Sequence, residues 1–166
     1  MAPTAINKSN RYFDPNVTKC YYLPEVAAED FAPTREEMDA GTDLSNEIAD
    51  LDGWLVEGDD IETPDLGSLF TSKIPGRTSV DDCSLTFHAD KAGDDVRTLL
   101  PRGTEGFIMW CDGGDEPANI AGVYPVRVKS VGVQRSVEDD NARVQVAFTV
   151  TREPNEQVAV PAATTP

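Results

Sequence analysis

Apolar and polar residues alternate along several stretches of the chain with a period of two, the pattern imposed by a strand whose successive side chains point to opposite faces. Arg143 to Arg152 is the most regular, with Val144, Val146, Phe148 and Val150 on one side and Gln145, Ala147, Thr149 and Thr151 on the other. Asp82 to His88 repeats the pattern, Cys83, Leu85 and Phe87 against Asp82, Ser84, Thr86 and His88. Between Val123 and Gln134 the apolar set begins at Val126 and Val128, opposite Arg127 and Lys129, and then shifts phase to Val131 and Val133. One extra residue near Ser130, a β-bulge, accounts for the shift. The polar turn Ser136 to Asn141 joins this strand to the next as a hairpin. Phe107 to Trp110 is apolar on both faces, as a central strand covered on both sides is, and Asp112-Gly113-Gly114-Asp115 turns the chain out of it. Val17 to Leu23, closed by Pro24, is a further strand rich in β-formers, Thr18, Tyr21 and Tyr22.

Helical signals are short. Thr34-Arg35-Glu36-Glu37 has capping-box spacing, and Gly41 follows where the helix should stop. Asp94 is the expected cap of a second helix through Val96, Leu99 and Leu100, which Pro101 ends. From Asp43 a weak alternation runs through Leu44, Ile48, Leu51, Trp54 and Val56, which places Trp54, like Trp110, inside a strand. Gly58 to Ser79 is rich in Gly, Pro, Asp, Ser and Thr and reads as one long loop. Connections in compact domains are usually ~4–6 residues, so a loop of this length points to an interaction element. Residues 1–16 and 155–166 lack a period and read as N- and C-terminal arms around one domain, 17–154. A chain of 166 residues supports one core of this kind.

Composition narrows the function classes. Thirty acidic residues stand against fourteen basic ones, a net charge of −16, which disfavours tight binding to DNA or to an anionic membrane because Lys and Arg supply phosphate affinity. The acids gather in pairs at turns, such as Glu36-Glu37, Asp59-Asp60 and Glu138-Asp139-Asp140. No apolar run approaches the ~20 residues a membrane helix needs, and Met1 to Asp14 lacks the apolar centre of a secretory signal, so the chain is expected to stay where it is made. Cys20, Cys83 and Cys111 match neither a metal clip nor a disulfide framework and are expected as buried thiols. His88, the single histidine, has no Cys or Asp companion at catalytic spacing. Asp50-Leu51-Asp52-Gly53 lacks the distal Glu of a calcium loop, and there is no phosphate loop or nucleophile elbow. No cofactor is expected, and the reading is of a non-enzymatic building block.

Several segments in order carry a resemblance. Phe70-Thr71-Ser72-Lys73-Ile74-Pro75-Gly76-Arg77-Thr78, Asp81 to Phe87, Ala89 to Gly93, Leu99 to Gly106 and Trp110 to Asp115 resemble the tail tube (major tail) proteins of long-tailed actinobacterial bacteriophages. Upstream, Ala32-Pro33-Thr34-Arg35 and Ala40-Gly41-Thr42-Asp43-Leu44 are similar to the same family, so the likeness covers residues 17 to 160. The resemblance implies a mainly β fold, a tail-tube-type β-sandwich or barrel with one or two short helices, whose copies form stacked hexameric rings. It further implies a conduit for double-stranded DNA that is not specifically bound, and tape measure and tail tip or terminator proteins as partners. The chain would assemble in the host cytoplasm and reside in the virion. Within that frame Leu66, Phe70, Lys73, Ile74 and Arg77 are the expected ring-stacking loop, and Glu57, Asp59, Asp60, Glu62 and Asp82 the expected lumen-facing acids. The alternatives are another β-sandwich virion or surface component, a decoration or carbohydrate-binding module, and a small acidic enzyme.

Overall fold

A computed structural model describes residues 2–163. Strands dominate, in the order β1 (Lys19–Leu23), β2 (Thr42–Asp43), β3 (Ile48–Asp52), β4 (Val56–Thr63), β5 (Ser72–Val80), β6 (Cys83–His88), β7 (Glu105–Cys111), β8 (Ile120–Gln134), β9 (Arg143–Val150) and β10 (Asn155–Ala159). Two short helices interrupt them, α1 (Arg35–Asp39) between β1 and β2, and α2 (Val96–Leu99) between β6 and β7. The mainly β class expected from the alternation is therefore the observed one.

The long strand β8 organises the molecule. Its first half, Ala121 to Arg127, pairs with β7, and Val126 to Gln134 pairs with β9, with a register shift between Val128 and Ser130 where the phase break in the sequence falls. The bulge bends one strand into two sheets. The path β2-β1-β7-β8 lies on one side of it and β8-β9-β6-β3 on the other, all antiparallel. Between them lies the main core, with Phe87, Phe148, Leu85, Val144 and Val146 from one sheet against Tyr22, Ile108 and Tyr124 from the other.

Because side chains alternate, β7 feeds two cores. Ile108 faces the main one, while Phe107, Met109 and Cys111 face a second, smaller core closed by Val26, Phe31 and Met38 from the segment around α1 and by Val158 and Val160 near the C-terminus. The expectation of a strand covered on both sides is met for this physical reason. Helix α1 starts with the expected capping box, Thr34 Oγ1 accepting from the Glu37 amide at 3.3 Å and Glu37 accepting from the Thr34 amide at 2.7 Å. Gly41 follows the C-cap Ala40 because a β-carbon there would lie 2.6 Å from Leu23 Cδ2 and 2.7 Å from the Tyr22 carbonyl oxygen. Arg35 then ties α1 to the β7–β8 turn through a forked pair of hydrogen bonds to Asp115, 2.7 and 3.0 Å.

Four expectations are corrected. Residues 58–79 are not a loop but most of a two-stranded hairpin, β4 and β5, separate from the main sheet. The C-terminal arm is largely structured: β10 pairs with β8, and Val158 and Val160 are buried, whereas residues 164–166 of that arm, like Met1, lie outside the described residues. The cap of α2 is Asp95, not Asp94; its carboxylate accepts from Arg97, which holds it down to about 2. Trp54 is not in a strand. It follows Gly53, and both residues have left-handed backbone, φ 69° and 78°, which breaks β3 and swings the chain out into the hairpin.

Trp54 also pins the base of that hairpin. Its ring meets Trp110, Tyr124 and Phe148 at centroid distances of 5.5–5.7 Å, its Nε1 donates to the Ser84 carbonyl at 3.2 Å, and its own carbonyl accepts from the Tyr124 hydroxyl at 2.8 Å. Truncating a buried aromatic of this kind costs ~3–5 kcal/mol. Trp54→Ala is therefore expected to lower the urea midpoint of the dilute protein by that free energy with little change in slope; a loss under ~1 kcal/mol would show that the indole is not a core anchor.

Candidate assembly surfaces

The hairpin is amphipathic without a core of its own. Ile61 pairs with Ile74, Thr63 with Ser72 and Val56 with Val80, which sets Ile61 and Ile74 on one face. Asp60 and Glu62 share the other with Lys73, and a weak ion pair, Glu62 to Lys73 at 3.7 Å, crosses it; Glu57 has the parity of Ile61 along β4 and falls on the isoleucine side, and Arg77 lies in the stretch of β5 opposite the register shift. Asp59 falls at the register shift between Gly58 and Asp60. At the tip, Asp65 and Ser68 side chains accept from the Gly67 and Phe70 amides and shape the turn, which leaves Leu66 and Leu69 fully exposed and Phe70 at 76%. Ile61 and Ile74 are half exposed. An isolated two-stranded hairpin is marginal in water, and a contiguous apolar patch on it marks an interaction site.

The expected stacking residues Leu66, Phe70, Lys73, Ile74 and Arg77 thus share one projecting element, with Leu66 and Phe70 at its tip, Ile74 on its apolar face, Lys73 on the opposite face and Arg77 beside the register shift. Sequence reasoning missed Leu69 and Ile61. The signals were there: Asp65-Leu66-Gly67-Ser68 is turn-forming, and Ile61 and Ile74 lie at equal distances on either side of Gly67-Ser68. Of the expected lumen acids, Glu57, Asp59, Asp60 and Glu62 lie together on β4. Asp82 lies apart, just before β6, and forms an ion pair with Lys129 at 2.9 Å that neutralises its charge locally.

Several sheet edges are also free among the described pairings, and besides the short β2 and β10 two of them belong to the sheet β3-β6-β9-β8. Strand β3 has β6 on one side only, and the end of β8, Ser130 to Gln134, has β9 on one side only. Free edges template pairing with another chain.

The chemistry of small-molecule sites is sparse. Cys20, Cys83 and Cys111 are buried free thiols, and burial pushes each up, Cys111 to about 12, so none is a ready nucleophile. His88 Nδ1 lies 2.7 Å from the Asn141 side-chain amide on the surface. Among the described residues no group of three His, Cys, Asp or Glu side chains is placed to hold a metal, and no helix is long and apolar enough to cross a membrane.

A mainly β protein with free strand edges and a projecting apolar hairpin offers surfaces for assembly. The family model described as "Phage tail tube protein" matches residues 7–163, and the chain belongs to that family. It is a non-enzymatic tail tube protein. Two solved structures share the fold. One, titled as the sheath/tube terminator of an extracellular contractile injection system (PVC) in the extended state, is 12% identical with a TM-score of 0.57, over 87% of this chain and 96% of that one. The other, titled as the sheath-tube complex of such a system in the extended state, is 13% identical with a TM-score of 0.56, over 86% of this chain and 90% of that one. No curated protein matches in sequence.

The patch at the hairpin tip makes its own prediction. Replacing Leu66, Leu69 and Phe70 together by serine is expected to leave the unfolding free energy of the dilute protein within ~0.5 kcal/mol, since exposed side chains away from caps and cores contribute little. The same variant should bind less of a hydrophobic dye. A destabilisation of several kcal/mol would mean that the tip packs on its own domain.

Proposed function

We propose that copies of this chain close into rings of six and that the rings stack through the β4–β5 hairpin into a tube that conducts the genome. The observation that carries this reading is the hairpin: its apolar face and tip have no partner within the chain, in a member of the tail tube family.

Ring closure follows from the free edges. In the sheet β3-β6-β9-β8 every neighbour is antiparallel, so four strands alternate in direction and the end of β8 runs opposite to β3. A neighbouring copy in the same up or down orientation therefore brings its β3 antiparallel to this copy's β8. The contact is heterologous, the kind that closes a ring when the rotation permits, and it removes both exposed edges. The polar face of this sheet carries Ser84, Gln145, Ala147 and Thr149 together with Asp50 and Asp52 of β3, a hydrophilic wall of mixed character for DNA to slide past.

Stacking falls to the hairpin. Its apolar side, Ile61, Ile74 and the tip, packs on the next ring, which leaves Asp60 and Glu62 on the opposite, solvated side facing the lumen, with Asp59 at the register shift and Glu57 near the base of the hairpin completing the acidic group. The acids keep the duplex unattached, and at an ionic strength of 0.15 M their repulsion reaches only ~8 Å. The tape measure and tail tip or terminator proteins meet the two ends of the stack, in a virion assembled in the cytoplasm of an actinobacterial host.

Negative-stain imaging of concentrated protein is expected to show hollow tubes of uniform width. Replacing residues 58–79 by a short Gly-Ser linker should leave a folded domain, because the main core lies outside the hairpin, yet abolish stacking. A wild-type protein that stays monomeric under every nucleating condition would contradict the reading; tubes of normal length from the shortened protein would remove the hairpin from it.

A further inference from the structure

The molecule carries a second unfilled apolar feature, away from the hairpin tip. A groove of about 790 Å³ opens between β1, β3 and the start of β8, floored by Trp54, Trp110 and Tyr124 with Ile48, Leu51 and Leu55 along one side. Leu51 and Leu55 are more than half exposed there. The Trp110 indole Nε1 is buried and has no hydrogen-bond partner. A buried donor left unpaired costs on the order of 1–3 kcal/mol.

The rim is acidic. Asp14, Asp112 and Glu156 line it, with Lys19 as the one cation. Desolvation at the groove wall and then the nearby Asp14 carboxylate push the Asp112 carboxyl up, the response of an acid lacking a counter-charge. The groove therefore fits an extended, apolar and positively charged segment.

The chain has such a segment. Residues 1–13 carry Lys8 and Arg11 and no acid, in a chain of net −16. Ile6, Tyr12 and Phe13 stand exposed on it, and residues 2–13 form no regular structure and are exposed throughout. A turn fixes the arm where it joins the domain. The Val17 and Thr18 amides both donate to the Asp14 carbonyl, at 3.0 and 2.9 Å, and Thr18 Oγ1 donates to the Asp14 carboxylate at 3.1 Å. That turn sits at the rim of the groove, and the residues before it, which carry both arm cations, line no part of the groove.

We infer that the tryptophan-floored groove of each copy receives the basic N-terminal arm of a neighbouring copy, with Lys8 and Arg11 against Asp112 and Glu156 and the arm's apolar side chains over the tryptophans. The inference rests on the tube reading, which brings copies side by side, and it adds a receptor for the arm that is separate from the hairpin. The contact is again heterologous, so each arm passes the linkage on to the next copy.

Charge exchange in the full-length protein tests it. Lys8→Glu with Arg11→Glu alters only exposed arm residues, and Asp112→Lys with Glu156→Lys alters only exposed rim residues. Each pair of changes is expected to raise the critical concentration for assembly several-fold and to lessen the fluorescence shift on assembly, since both tryptophans of the chain floor the groove. Combining all four should restore both. In the unaltered assembly, a zero-length carbodiimide should join Lys8 to Asp112 or Glu156 of another copy. Arm-reversed protein that assembles with the wild-type threshold and fluorescence shift, a quadruple variant no better than the pairs, or links found within one copy would each overturn the inference and leave the tube standing. Wild-type protein that forms no tube at all would instead overturn the reading beneath it.

Discussion

A hairpin of two strands cannot bury its own apolar face, because burial needs a second layer and two strands make only one. That constraint governs the account of this protein. The rest of the domain has cores of its own: the strands paired on either side of the β8 register shift enclose the main one, and the segment around α1 together with β10 closes the smaller one. The hairpin has none, and Ile61, Leu66, Leu69, Phe70 and Ile74 on it face water. A monomer built this way is finished as a fold and unfinished as a surface.

The domain also shows how such an element is aimed. Gly53 and Trp54 adopt left-handed backbone in succession, which costs little at glycine and more at tryptophan. The cost at Trp54 is offset by its burial against Trp110, Tyr124 and Phe148 and by its hydrogen bonds to Ser84 and Tyr124. The residue that redirects the chain is thus the residue that anchors it. The hairpin emerges from a rigid base and carries its tip about 26 Å away, at ~3.3 Å per residue along the eight residues of β4.

Sequence patterning reveals a strand when one of its faces is buried in the chain's own core. Arg143 to Val150, Cys83 to His88 and the phase break near Ser130 were legible for that reason, and their pairings follow the alternation. The same logic explains the misses. Strands β4 and β5 bury nothing within the chain, carry Pro75 and three glycines or aspartates in a row at Gly58-Asp59-Asp60, and so look like a loop to any reading keyed to burial. β10 offers only Val158 and Val160 as an alternating pair between prolines, too short a pattern to stand out. The groove was less legible still, because Trp54, Trp110, Asp112 and Glu156 meet only after β3, β7 and β8 have folded. The proposed stacking residues Leu66, Phe70 and Ile74 were named in the setting of the resemblance, and the pairing of Ile61 with Ile74 is a physical reason to group them on one element.

Hydrogen exchange on the β4–β5 amides, compared between dilute and assembled protein, tests the central claim most directly. The account predicts fast exchange from Val56 to Val80 in the dilute protein, where the hairpin stands alone, and protection by orders of magnitude once rings stack, with the buried amides of β6 and β9 slow in both states. Equal protection of the hairpin in the two states would contradict it, because the apolar face would then have been covered all along.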